Sequence, residues 1–415
     1  MVSLCNTNTK NMNRIIIVGN GFDLAHGLKT KYEHFIEWYI MSWVEKNQKE
    51  KDCVPKKGDK LIDVKLKNSI FNKLCLCFES GKKYLKYNVK PSKLLERIFL
   101  SIKTKGWADF ESDYYELLKE LLRKRNEVKN INDEFAFLQS LLIQCLNNVQ
   151  KNEINNELVN DDIKQQMLAP FRTQDISVKA KDKWNDFLKR RLNDSELIDN
   201  IELYKPSDAE SGLKNVHEFK NAYKDQIEFM GIDSIDGDAL PQDMLYPDRM
   251  MLLNFNYTTT ADLYMPEDPH FILNHIHGEL ANPESVIFGY GDELDSSFKQ
   301  LQGMNDNECL RHIKSIHYLE SDNYRRMLEF VESGPFQIVI MGHSCGLSDR
   351  TMLNTLFEHE NCVSIKPYYY VNDEGKDNYL DIVQNISRNF TNPQLMRDRV
   401  VNKVFCEPLP QVSKE

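Results

Sequence analysis

The first long apolar run in the chain is Ile15-Ile-Ile-Val18, β-branched throughout and without polar alternation. That is the pattern of a strand buried on both faces. It breaks at Gly19-Asn20-Gly21, after which apolar residues recur three or four apart at Leu28, Tyr32, Phe35, Ile36, Tyr39 and Trp43. The spacing predicts a helix from about Thr30. Strand, glycine turn and helix form the opening unit of a nucleotide-binding α/β domain. Glycines let the backbone approach a phosphate, and a helix N-terminus offers unpaired N–H groups. The dinucleotide fingerprint asks for glycines at positions one, three and six. Gly19 and Gly21 fit, but position six is Leu24 and the next glycine is Gly27. A tight turn with no ligand is the competing reading.

From about residue 62 to 200 the pattern is mainly helical. The clearest stripe follows a cap-like Asn130-Ile-Asn-Asp133, with Phe135, Leu138, Leu142, Cys145 and Val149 on one face. Another helix carries Trp184, Phe187, Leu188 and Leu192. Trp107-Ala-Asp109-Phe-Glu111 opens a third. Its acids read first as helix-start chemistry favoured by the dipole, and second as the wall of a pocket. After a polar excursion over 207–247, strand-like runs appear at Met250–Phe255, Phe271–Ile276, Ser285–Phe288, Phe336–Met341, Val363–Val371 and Val400–Phe405. Helical patterns over 318–331, 351–357 and 378–388 alternate with them.

This alternation predicts an α/β fold: a Rossmann-like, mostly parallel sheet with helices on both faces. Residues 1–61 and 246–415 would form that domain, and 62–245 a large α-helical insert. Ligands of such sheets sit beyond the carboxyl ends of the strands. Gly19 to Asp23, Asn256, His277-Gly278 and Gly342 to Asp349 all fall there.

Composition narrows the function. The net charge of −10 argues against a protein that coats nucleic acid, whose affinity comes from Lys and Arg. The lysine-rich loop at 51–60 is the only local support for such a partner. Nine irregularly spaced cysteines suit reduced thiols, and Cys75-Leu-Cys77 reads as structural. No apolar run approaches the ~20 residues of a membrane span, and the N-terminus lacks a signal core, so a cytoplasmic protein is expected. Gly342-His-Ser-Cys-Gly346 matches the pattern of a hydrolase nucleophile, but a nucleotide site accounts better for the neighbouring motifs. Asp23 reads equally as a helix cap or a ribose contact. His312 and His317 read as surface residues, and His26 and His343 lack metal-ligand spacing.

Four strand-end motifs, Gly19-Asn-Gly-Phe-Asp23, Asn254-Phe-Asn-Tyr-Thr258, His275-Ile-His-Gly278 and Gly342-His-Ser-Cys-Gly-Leu-Ser-Asp349, resemble in that order the AbiH family of bacterial abortive-infection proteins. The Trp107, Asp109 and Glu111 element also looks like that family's. The resemblance covers the first 45 residues and roughly 250–360. AbiH sequences are in turn similar, more distantly, to sirtuin-like domains. That resemblance implies a sirtuin-like NAD pocket with Asn256 and His277 as catalytic residues. Gly19, Asn20, Gly21, Phe22, Asp23, Gly27, Thr30, Tyr32, Gly278, Gly342, Ser344 and Asp349 would contact the cofactor, with no metal. Asn20 and Phe22 replace smaller residues of the sirtuin turn, Thr258 stands where an acid would be, and there is no four-cysteine zinc module. The implied activity is therefore cleavage of NAD rather than deacylation. Asn256 could orient a hydroxyl or water and His277 could take its proton. A non-catalytic nucleotide sensor and a toxin acting on nucleic acid are the alternatives. A nucleotide is the expected ligand, no membrane is implied, and homo-oligomerisation and a phage-derived trigger stay open.

Overall fold

The central strand, β1 (Asn13–Val18), is buried at every position, as its unbroken apolar sequence requires. The computed structural model describes residues 11–48, 58–63, 90–105, 109–122, 124–193, 240 and 242–412. Trp107, Cys75, Cys77, residues 51–57 and most of the 207–247 excursion lie outside them. The turn after β1 opens a short helix, α1 (Asn20–Ala25), and α2 (Tyr32–Gln48) follows. A small antiparallel ribbon, β2 (Ile62–Asp63) with β3 (Lys90–Pro91), leads to α3 (Lys93–Lys105), α4 (Phe110–Leu121), α5 (Arg125–Glu153), α6 (Asp161–Met167) and α7 (Lys181–Leu192). The chain then returns to the sheet with β4 (Met250–Asn254), β5 (Phe271–His275), β6 (Phe336–Met341) and β7 (Cys362–Tyr368).

The sheet has five strands in the order β5-β4-β1-β6-β7, and every neighbouring pair is parallel. The Rossmann-like α/β architecture with a helical insert is thus present. Val18 lies level with Asn254 and Met341, and Asn254 with His275. The polar residues after these strands therefore emerge on one rim. Alternation places Ile15, Ile17, Leu253 and Ile338 on one face, under α8 (Asn323–Glu332), α9 (Arg350–Glu358) and α10 (Tyr379–Asn389). Ile16, Val18, Leu252 and Met341 face Phe22 of α1 and Ile163 and Met167 of α6. Residues 161–192 therefore pack on the sheet side, with Trp184 and Phe187 meeting Met12 and Val363. By contrast α3, α4 and α5 build a separate core with Phe35, Ile36 and Tyr39 of α2.

Two expected strands and one helix start differ. Ser285–Phe288 is not a strand: a 3-10 turn at Pro283–Ser285 runs into irregular chain. The sheet stops at β5 because side chains take its outer carbonyls. Arg326 Nη2 donates to Leu273 O at 3.1 Å and Asn323 Nδ2 to His275 O at 2.7 Å, which closes the edge to a further strand. Val400–Phe405 makes one bridge to Ile365 and then a 3-10 turn. The long helix α5 begins at Arg125, five residues before the expected cap, so Asn130–Asp133 lies inside it. There Asn132 is buried, accepting from Tyr114 Oη at 2.6 Å and donating to Glu308 O at 2.8 Å.

Candidate strand-end site

Two turns interlock at the rim. Gly21 N–H donates to Gly342 O at 2.7 Å, and Gly19 N–H to Met341 O at 3.3 Å. A Cβ on Gly19 would stand 2.6 Å from His343 Cα, and one on Gly342 2.0 Å from Phe22 N. Gly342 also has φ +74°, which only glycine adopts at low cost. The glycines therefore let the turns after β1 and β6 touch backbone to backbone. The turn after β4 joins them: Asn256 Nδ2 donates to Gly19 O at 3.0 Å, and its own N–H to Asn254 Oδ1 at 2.9 Å. Beneath, Asp23 is 1% exposed and accepts from Thr258 Oγ1 at 2.7 Å. Burial pushes its carboxyl up to about 6, against the hydrogen bond from Thr258.

Beside this turn pair lies a buried group of charges. Lys314 Nζ stands 2.7 Å from Asp349 Oδ1 and 2.9 Å from Glu111 Oε2. Asp349 Oδ1 is also 3.4 Å from His277 Nε2, and its Oδ2 3.5 Å from His343 Nε2. Tyr318 Oη is 3.4 Å from His277 Nε2. Gly289 N–H donates to the second Glu111 oxygen at 3.2 Å. The exposures are 1% for Lys314, 3% for His277, 6% for Glu111 and 7% for Asp349, so these groups are closed to solvent.

The two imidazoles are held differently. His343 Nδ1 accepts from Cys345 N–H at 3.0 Å, so its Nε2 carries the proton that faces Asp349. His277 Nε2 instead stands between Tyr318 Oη and Asp349 Oδ1. Burial, and then Lys314, push His277 down to about 3. Burial opposes the charge on Asp349, but Lys314 and the imidazoles outweigh it and hold the carboxyl well below its usual range. Burial likewise opposes the Lys314 ammonium, and Asp349 and Glu111 outweigh it and hold its pKa above the ordinary value. Glu111 is pushed up to about 7 by burial against the pull of Lys314. Chemically, His277 is a neutral base beside a carboxylate that would stabilise its imidazolium. In this closed arrangement it is too weak to take protons well near neutral pH.

The insert supplies the outer wall. Helix α4 packs against the Leu347–Asp349 turn, and Phe110 stacks on Tyr32 of α2 with ring centroids 4.1 Å apart. Tyr32, Tyr257 and Leu347 are half-buried along that seam. Burial, and then Glu111, hold the Tyr32 and Tyr257 phenols well above their usual pKa.

The rim brings together Gly19, Asn20, Gly21, Asn256, Gly342 and, deeper, His277, His343 and Asp349. Asn20 is exposed at the turn tip and accepts from Thr30 Oγ1 at 2.6 Å. Phe22 contributes backbone only, since its ring is buried against His26 and Tyr264. Gly27, φ +78°, closes the far end of α1 and is exposed. Gly278, φ +79°, lies behind His277, where a Cβ would meet Ser285 O at 2.0 Å. Ser344 is exposed, and the left-handed residue of its loop is its neighbour Cys345, φ +55°. That thiol is buried and its pKa is raised by burial, so the loop does not present a nucleophile as a hydrolase elbow does.

His275 points elsewhere, with Nε2 3.1 Å from Asp262. Asp23 sits within α1 and caps nothing, whereas Asp109 does cap α4, accepting from Ser112 N–H at 3.1 Å. His312, expected at the surface, is buried between Tyr114 and Phe135, and burial lowers it to about 4. Among the described residues no group of His, Cys, Asp and Glu could hold a metal ion, and no helix is long and apolar enough to cross a membrane.

Sheet, rim and wall define an α/β protein with a strand-end site completed by a helical insert. The chain belongs to the AbiH family: the family model described as bacteriophage abortive infection AbiH matches residues 15–370. That span contains all five strands of the sheet but for Asn13 and Arg14 at the start of β1, and every member of the charged group. The protein is thus an antiphage protein of abortive infection. No curated protein and no solved structure matches it.

Proposed function

We propose that the strand-end site binds NAD and hydrolyses its nicotinamide–ribose bond. The observation that carries this reading is that an amide, Asn256, and a neutral imidazole, His277, follow neighbouring parallel strands at the sheet end that holds the turn after β1, Asn256 bonding that turn and His277 standing beside Asp349. Asn20 offers its amide N–H₂ to the diphosphate, and Tyr32 and Tyr257 flank the nicotinamide end. In the reaction the C1′–N bond breaks and nicotinamide leaves with its electron pair. A water oxygen bonds C1′, and its proton passes to His277 Nε2 and on to solvent. Asn256 orients the water or the ribose hydroxyls, and Asp349 stabilises the imidazolium.

The test is nicotinamide release from NAD by the purified protein, beside His277→Ala and Asn256→Ala. Release by wild type and its loss of roughly 100-fold or more in His277→Ala is expected. Binding without release would leave a nucleotide sensor. Because the N–H groups of Gly19, Gly21 and Phe22 are already engaged within the protein, absence of both binding and release would leave the tight turn with no ligand.

A further inference from the structure

We propose that Asp23 is a positioning residue of this site: through Thr258 it fixes the turn after β4, so that the Asn256 amide keeps its nitrogen turned into the protein and its oxygen toward the ligand. The proposal deepens the NAD reading and rests on it only for what the ligand is. Asp23 is 1% exposed, which takes it out of reach of a ribose and leaves its role to what it touches.

The turn after β4 is braced from two sides. From within, Asn254 Oδ1 accepts from Asn256 N–H at 2.9 Å, and Asn254 Nδ2 donates to Thr258 O at 3.1 Å. From outside, Asn256 Nδ2 donates to Gly19 O at 3.0 Å, and Thr258 Oγ1 to Asp23 Oδ2 at 2.7 Å. Both outer links run from residues 19–23 to this one turn. The side chains of Thr260 and Asn256 also favour the charged form of Asp23.

The chemistry of these partners fixes which end of the amide is free. Gly19 O can only accept, so the end of Asn256 that meets it is the N–H₂ group. Among the described residues no donor meets Asn256 Oδ1, and Asn256 itself is half-buried. An oxygen there accepts from a water or a ribose hydroxyl. Asp23 guards that orientation. Its carboxyl, raised by burial to about 6, is mainly ionised near neutral pH and so offers acceptors alone. A buried charge costs more than a neutral group of the same shape, so packing does not account for a carboxylate here. What it adds is the absence of any donor beside an amide that must not rotate.

The test compares wild type with Asp23→Asn, Thr258→Val and Thr258→Ser. Asp23→Asn keeps the shape and an acceptor for Thr258, but introduces an N–H₂ beside that of Asn256. Thr258→Val removes the hydroxyl and Thr258→Ser restores it; this pair covers the case in which Asp23→Asn folds poorly. Each folded protein gives kcat and KM for nicotinamide release, a thermal midpoint, and the side-chain amide resonances of Asn256. Those resonances are read from protein with isotope-labelled asparagine and identified by their loss in Asn256→Asp.

The expected result is a fall of at least about tenfold in kcat for Asp23→Asn and Thr258→Val, with a smaller change in KM. The Asn256 resonances move in both, the midpoint of Asp23→Asn is no lower than that of wild type, and Thr258→Ser returns to wild-type behaviour. Unmoved Asn256 resonances in both variants, or a wild-type kcat in both, would overturn the positioning role. Loss of release that follows loss of stability across the variants would overturn it too, since Asp23 would then only hold the fold. Displaced resonances restored by Thr258→Ser, with no nicotinamide released by any form, would uphold the positioning role and overturn the NAD reading instead.

Discussion

Replacing Lys314 by Met removes the cation between Glu111 and Asp349 and leaves both carboxyls under 10% exposed. Breaking a buried pair by deleting one partner costs about 3–5 kcal/mol, mostly through the unpaired charge left behind. In a chain of this size that corresponds to a fall in thermal midpoint of roughly 3–6 °C. The pH dependence separates this cause from lost packing. Without the ammonium, the Asp349 carboxyl rises above its unfolded value and Glu111, already raised in wild type, rises further, so the folded variant binds more protons than the unfolded chain. Stability carried by such groups is present at low pH and lost as pH rises through the folded pKa. In wild type the Asp349 pKa is lowered, so its contribution is present above the ordinary carboxylate range and lost on strong acidification. The deficit of Lys314→Met should therefore be largest near pH 8 and shrink by at least about half near pH 5. Thermal unfolding at one scan rate across that range measures it, with the Glu111→Gln, Lys314→Met double variant closing the cycle. A deficit that stays constant with pH, or a double variant as unstable as the two losses summed, would refute the electrostatic account.

Asp23→Asn should stabilise the protein above about pH 6 and make no difference below about pH 4, since the buried carboxyl is raised from 3.8 to about 6; the gain near pH 8 is on the order of 1–3 kcal/mol, read from paired melting curves. Gly342→Ala should cost about 2–4 kcal/mol, the sum of a left-handed backbone and a Cβ driven into Phe22 N, and denaturant titration would expose a milder effect. His275→Ala, on the Asp262 side of the rim, should leave nicotinamide release within about twofold of wild type while His277→Ala abolishes it; equal losses would show that the wrong histidine has been chosen.

The sheet was legible because its central strands are buried on both faces and therefore carry unbroken apolar sequence, as in Ile15–Val18 and Phe336–Met341. The glycine turn was legible for the same kind of reason, since close backbone approach leaves no room for a Cβ. The strand expected at 285–288 failed because edge closure by Arg326 and Asn323 is a tertiary matter with no local signature. Lys314 escaped notice entirely. A lone lysine reads as surface, and its partners lie 203 residues before it and 35 after it. Glu111 was visible as an acid in a first helical turn, a place where acids are common for local reasons, so nothing in its neighbourhood distinguished an ion-paired wall from a solvated face.

The middle strand of this sheet is also the first to leave the ribosome. Its two neighbours pair with it at Asn254 and Met341, far downstream. At ordinary translation speeds of ~5–20 residues per second, roughly 15–65 s pass before the second neighbour is synthesised. Until then the nascent β1 has an open flank, and the imidazole, the carboxylate and their shared cation have no common place to meet. A chain released early lacks β6 and Asp349 together, so an interrupted round of synthesis yields a product without an assembled site.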